Sequence, residues 1–252
     1  MLVRRWIGLA ACLIALHAQG GPRVFQVGVE NLQYAPLHST SATGDYTGYA
    51  RDVLDAFAQE YGYTFRYVPL PVERLFRDFL RADALDFKYP DNPAWQTGLK
   101  KGLHLTYSLP IVPSYEGLMV LPANKGKPLA RLHSVGTVRG FTPVPYQQAI
   151  QRRSLSLQTD TSFAPLLQRV LAGQLDAVYI NADVGHYLLT HELGQPNALV
   201  FDTALPHLAS DFSLSTRRHH EIVAQFNNFL QKQRPLLQRL RAKYTIGDPA
   251  NP

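Results

Sequence analysis

From Val24 onward the apolar positions alternate between a period of two and a period near 3.6. Val24–Val29 is a short β-branched run closed by the polar pair Glu30-Asn31, which predicts a first buried strand. Across Tyr49–Tyr61 the apolar residues Val53, Leu54, Phe57, Ala58 and Tyr61 share one helical stripe, and Gly62 stands where a left-handed cap ends a helix. Thr64–Val68 reads as a second strand, and Val72–Ala82 as a helix carrying Leu75, Phe76, Phe79 and Leu80. Leu85–Tyr89 returns to an extended pattern. This strand–helix–strand–helix–strand order predicts an α/β fold with a mostly parallel sheet flanked by helices.

The same grammar recurs after residue 130. Val135–Arg139 and Asp176–Ile180 read as strands around a helix at Phe163–Leu171 that Gly173 terminates, so a second small sheet is expected. Gly117–Leu121 and Phe212–Ser215 are short apolar runs on either side of this block. A terminal helix follows, with Ile222, Val223, Phe226, Phe229 and Leu230 on its stripe, and Pro235 interrupts it before Leu236, Leu237 and Leu240. The expectation is a first lobe over residues 21–117, a second over 118–211, and a return to the first over 212–252.

The amino terminus adds a compartment. Arg4 and Arg5 precede an apolar run over Trp6–Leu16, and Ala18-Gln19-Gly20 supplies small residues, the layout of an export signal over residues 1–20. The run is too short to span a bilayer, which needs about 20 residues. Leu9-Ala10-Ala11-Cys12 has the outline of a lipidation motif, but Leu13–Leu16 stay apolar where a lipidated chain turns polar, so a soluble periplasmic protein is expected. Cys12 is the single cysteine of the 252 residues, which excludes a disulfide framework and a cysteine metal site. The formal charge of +6 comes without any basic run, and that argues against a nucleic-acid partner.

Several segments together resemble one known family. They are Gly44–Leu70, Tyr107-Ser108-Leu109-Pro110, Val135–Tyr146 (VGTVRGFTPVPY), Leu171–Asp183 (LAGQLDAVYINAD) and Arg239–Gly247 (RLRAKYTIG). The order is similar to that of the family 3 periplasmic solute-binding proteins, the amino-acid receptors of ATP-driven importers. The resemblance implies two lobes joined by two hinge strands, a small ligand clamped between them, no cofactor, and a membrane permease or sensor as partner to a monomer. Members of that family resemble one another in an arginine ahead of the Tyr-Ser-x-Pro segment and an aspartate after the AGxxDAV strand, which pair the ligand's carboxylate and ammonium. Here Asn92–Thr106 holds Lys100 and Lys101 but no arginine, and the second position is Asn181. Lysine lacks the planar fork of arginine, so the ligand contacts must differ.

Ligands of open α/β sheets sit outside the carboxyl ends of the strands, which selects four loops. Tyr34 follows the first strand and can stack on a ligand. Tyr89, Asp91, Asn92 and Trp95 combine aromatic faces with hydrogen-bonding groups. Arg139, Gly140, Phe141 and Thr142 offer backbone N–H groups, a hydroxyl and a guanidinium for an anion. Asn181 ends a strand, and an extended continuation would put Asp183 on the same side. Each has a plainer role as core, turn or cap.

Nine histidines show no helical i, i+4 pair with a carboxylate, so no metal site is expected. Nucleotide cradles and nucleophile elbows are missing. Two alternatives to transport remain: a periplasmic sensory component, and a cyclohexadienyl-dehydratase-like lyase for which Glu30, Asp91 and Glu116 are the available acids.

Overall fold

The computed structural model describes residues 23–82 and 84–247. The expected export segment and Cys12 lie outside the described residues. In chain order, strand β1 (Arg23–Glu30) leads into a small sheet of β2 (Gln33–Tyr34), β3 (His38–Thr40) and β4 (Tyr46–Thr47). Then come α1 (Tyr49–Tyr61), β5 (Tyr63–Leu70), α2 (Val72–Arg81), β6 (Phe87–Asp91), α3 (Thr97–Lys100) and β7 (Thr106–Tyr107). The second lobe holds β8 (Val112–Val120), β9 (Ser134–Val138), α4 (Gln147–Gln151), β10 (Ser156–Asp160), α5 (Phe163–Leu171), β11 (Ala177–Asn181), α6 (Ala182–Tyr187) and β12 (Val200–Phe201). β13 (Leu208–Thr216), α7 (His220–Lys232) and α8 (Arg234–Lys243) complete the chain.

β1 is the centre of the first sheet, parallel to β5 on one side and β6 on the other. In the second, β9 runs parallel to β10 and β11, while β8 is antiparallel to β11 and β12. β13 belongs to both. Its first half pairs with β8, its second with β6 and β7, and its register shifts between Ser213 and Ser215 where it passes from one to the other. Hydrogen bonding is therefore continuous through β13, and the lobes hinge on a shared strand. β8 starts well before the expected Gly117 because its amino-terminal residues run along β13 through that crossing.

The helices pack as their stripes dictate. Val53, Leu54, Phe57 and Ala58 of α1 are buried, and Gly62 ends the helix at φ 69°. Phe57 meets Phe226 and Phe229 of α7 at 4.9 and 5.6 Å, which fastens the carboxyl-terminal helix onto the first lobe. Burial of each such ring contributes about 1.5–3 kcal/mol. In the second lobe all of β11 is buried, because α5 covers Val178 and Ile180 while Ala177 and Tyr179 face a separate apolar cluster. Pro235 falls at the start of α8, so two helices replace the single interrupted one.

Candidate ligand-binding site

The lobes close over a chamber at the carboxyl ends of β1, β6, β9 and β11. The first lobe contributes Glu30, Tyr34, Val72, Phe76, Pro90 and Trp95, and the second Glu116, Gly140, Phe141, Thr142 and Tyr179, with Phe212 of the shared strand between them. The lobes are in contact. Gln96 Nε2 donates to the Gly140 carbonyl at 2.9 Å, and the Tyr34 ring lies 5.8 Å from Phe141 and 5.6 Å from Phe163. The space left holds about one water molecule, so nothing larger fits while the lobes stay in contact.

Two carboxylates face this chamber, Glu30 and Glu116, each only 2% exposed. His38 Nε2 lies 3.3 Å from Glu30, and the Tyr179 hydroxyl donates to Glu116 at 3.3 Å. The Tyr34 hydroxyl is buried, and its O–H meets no acceptor among the described residues. Burial first, then the charges of Glu116 and Glu30, hold its pKa well above the ordinary phenol value, against a smaller opposing pull from the Asn181 backbone. It stays a neutral donor.

Behind the Phe76 wall lies a buried ion cluster. Asp91 Oδ1 accepts from Lys100 Nζ at 2.7 Å and sits 3.5 Å from Lys88 Nζ, while Oδ2 accepts from the Ser215 hydroxyl at 2.7 Å. Lys88 donates to the Pro90 carbonyl and stands 3.9 Å over the Phe76 ring. Burial pulls its pKa down, and Asp91 and Glu30 partly oppose this. Two ammonium groups thus share one carboxylate.

Of the residues singled out in the sequence, Tyr34, Trp95, Gly140, Phe141 and Thr142 line the chamber. Tyr89 is buried behind it, its ring 6.0 Å from His38, and Asp91 is held in the ion cluster. Asn92 shapes its turn, accepting from the Ala94 N–H at 2.9 Å and donating to the Asp211 carbonyl. Arg139 is solvent-exposed and does not line the chamber; its backbone N–H donates to Asp160. Asn181 caps α6, its Oδ1 accepting from Val184 N–H at 3.0 Å. The strand stops there, so Asp183 does not continue it. Asp183 occupies the first turn of α6, 3.4 Å from the Gly247 N–H, in a separate groove.

Sequence reasoning did not assign Val72, Phe76, Pro90, Tyr179 and Phe212 to the site, because each also fits a core stripe or a turn. Glu30 and Glu116 carried the usable signal. Each is a charge set against a β-branched or apolar strand run, where burial is costly without a purpose.

This architecture has solved counterparts. An ancestral arginine-binding protein bound to arginine matches with a TM-score of 0.70 at 16% identity, over 89% of this chain and 98% of the other. A substrate-binding protein of an uptake transporter from Streptococcus pneumoniae, with bound histidine, gives 0.69 at 16% identity, over 91% and 95%. The chain has the two-lobed fold of the amino-acid-binding periplasmic proteins. An ancestral amino acid-binding protein described as a precursor of cyclohexadienyl dehydratase shares this two-lobed fold at 0.66 and 21% identity, over 88% and 95%. No protein-family model and no curated protein matches the sequence.

Proposed function

We propose that this chain is an exported binding protein that captures a small polar solute by closing its lobes over it, and that a membrane permease or a sensor reads the closed form. The observation that carries this reading is a chamber walled by both lobes and sealed by contacts between them, such as Gln96 to Gly140. A solute touching both walls stabilises closure by its differential affinity. Binding rather than turnover is supported by a lining dominated by aromatic rings, with Glu30 and Glu116 as its two carboxylates.

A thermal-shift screen of the mature chain against amino acids, amines, dicarboxylates and small peptides tests it. A solute at one hundred times its Kd should stabilise the protein by about 2.7 kcal/mol, and should be recovered chemically unchanged. Recovery of a converted product would favour the lyase alternative.

Closure itself has a handle. A Cβ on Gly140 would lie 2.9 Å from Val72 Cγ1 and 3.0 Å from Glu73 Cγ of the opposite lobe. Gly140→Val should therefore hold the lobes apart and weaken any ligand about tenfold or more. Gly173 has a comparable positive φ with open space around it, so Gly173→Val carries the backbone strain alone and should leave affinity unchanged. Equal losses in both variants would mean that Gly140 does not report on closure.

A further inference from the structure

We infer that the solute is a compact organic cation without a carboxylate, seated between Glu30, Glu116 and the Tyr34 hydroxyl inside the aromatic walls. This rests on the capture reading above and narrows it to a ligand class.

Charge bookkeeping around the chamber points there. The buried ionisable groups at and behind its walls are the carboxylates of Glu30, Asp91 and Glu116 and the ammonium groups of Lys88 and Lys100, with His38 against Glu30. Among the described residues, three carboxylates thus stand against two ammonium groups and one imidazole. Neither lysine is part of the lining: Lys100 donates to Asp91 and the Asn92 carbonyl, and Lys88, behind the Phe76 ring and within the field of Glu30, donates to the Pro90 carbonyl. Among the described residues that line the chamber there is no lysine, arginine or histidine. A carboxylate entering this space would meet two of its own kind in the lining, with the nearest cation, Lys88, held behind the Phe76 ring.

A cation would meet the opposite. Both carboxylates stand in a buried, low-dielectric site, where their Coulomb attraction for a cation is stronger than at the surface. Phe76, Trp95, Phe141, Phe212, Tyr34 and Tyr179 surround it with ring faces and edges suited to an alkylammonium or guanidinium head. The Tyr34 hydroxyl is a second and independent sign. It is fully buried, lines the chamber and lies within the fields of both glutamates; the Asn181 backbone N–H points at its oxygen, and its O–H has no acceptor among the described residues. An unmet donor there is the cost expected of a site that a ligand completes.

Isothermal titration of the mature chain with matched pairs separates the possibilities: agmatine against arginine, and putrescine against lysine, with glutamate and glucose as anionic and neutral solutes. The amine of each pair should bind at least tenfold tighter than its amino acid. Glu116→Gln and Glu30→Gln, which preserve shape, should each weaken the amine about thirtyfold while the folded spectrum is retained. Tyr34→Phe should weaken it by a smaller factor. Tighter binding of arginine than agmatine, or of glutamate or glucose than any amine, would overturn the cation assignment and leave solute capture intact. Binding of the amine that both Gln variants leave unchanged would overturn it as well. If no solute of the set or of the wider screen binds, capture itself falls, and this inference falls with it.

Discussion

Asp91→Asn should destabilise the protein by about 3–5 kcal/mol, the usual cost of removing one partner from a buried ion pair. Asp91 is fully buried and is the only carboxylate within 4 Å of the Lys88 and Lys100 ammonium groups among the described ion pairs. Without its charge two ammonium groups stand in a nearly dry space, and Ser215 Oγ and the Asn92 N–H face an amide instead of a carboxylate. The reciprocal change has the opposite sign. Lys88→Met removes the more distant of the two ammonium groups on Asp91 and leaves Lys100 and Asp91 as a neutral pair at 2.7 Å, so stability should hold or rise. Urea denaturation of both variants at neutral pH decides it. A small loss for Asp91→Asn, within about 1 kcal/mol of wild type, would show that the cluster is more hydrated than its burial implies.

Alkaline solution should unfold the protein within about two pH units of the ordinary tyrosine pKa, near 10. Tyr34, Tyr46 and Tyr89 are fully buried, their O–H groups meet no acceptor among the described residues, and burial raises each pKa well above that value. Burial also pushes Tyr49 up to about 12. A folded-state pKa raised above the unfolded one means that the native form holds more protons above pH 10. The stability involved is fully present below pH 10 and is lost as pH climbs toward the folded values. Each tyrosine then costs about 1.4 kcal/mol per pH unit, so four together cost about 5 kcal/mol per unit. That is a large part of a typical stability of about 5–15 kcal/mol. The buried tyrosines' share of the tyrosinate absorbance, followed upward from pH 8, should appear together with the loss of far-UV circular dichroism in one cooperative step. Gradual ionisation of these tyrosines near pH 10 with the fold retained would contradict their burial.

The fold was largely legible because its helices are amphipathic. α1 and α5 span the residues that the stripes of Val53, Phe57, Leu166 and Val170 indicate. What escaped notice lacked periodicity. β10 has the sequence SLQTD, with one large apolar residue, and exists by pairing its backbone along the edge of β9. The β2–β4 sheet is built from two- and three-residue strands too short to show a period. The site was legible only in part for a related reason. Loops at strand ends are visible in sequence, and they yielded Tyr34, Trp95 and Gly140–Thr142. Whether a charge turns inward or outward depends on contacts distant in the chain, such as Asp91 with Ser215 and Lys100. Arg139 illustrates the limit, since its place beside a chamber residue says nothing of its own exposure.

The central claim is that two lobes shut over a small solute, and the distance between them measures it directly. Cys12 is the only cysteine and falls within the expected export segment, so labels on cysteines introduced at the exposed positions Arg77 and Gln151 of the mature chain would report one pair of sites in opposite lobes. The account predicts a longer separation without ligand and a saturable shift to a shorter one as agmatine, or another solute found by the screen, is added. A separation that no solute changes, in a protein that binds one of them, would contradict it.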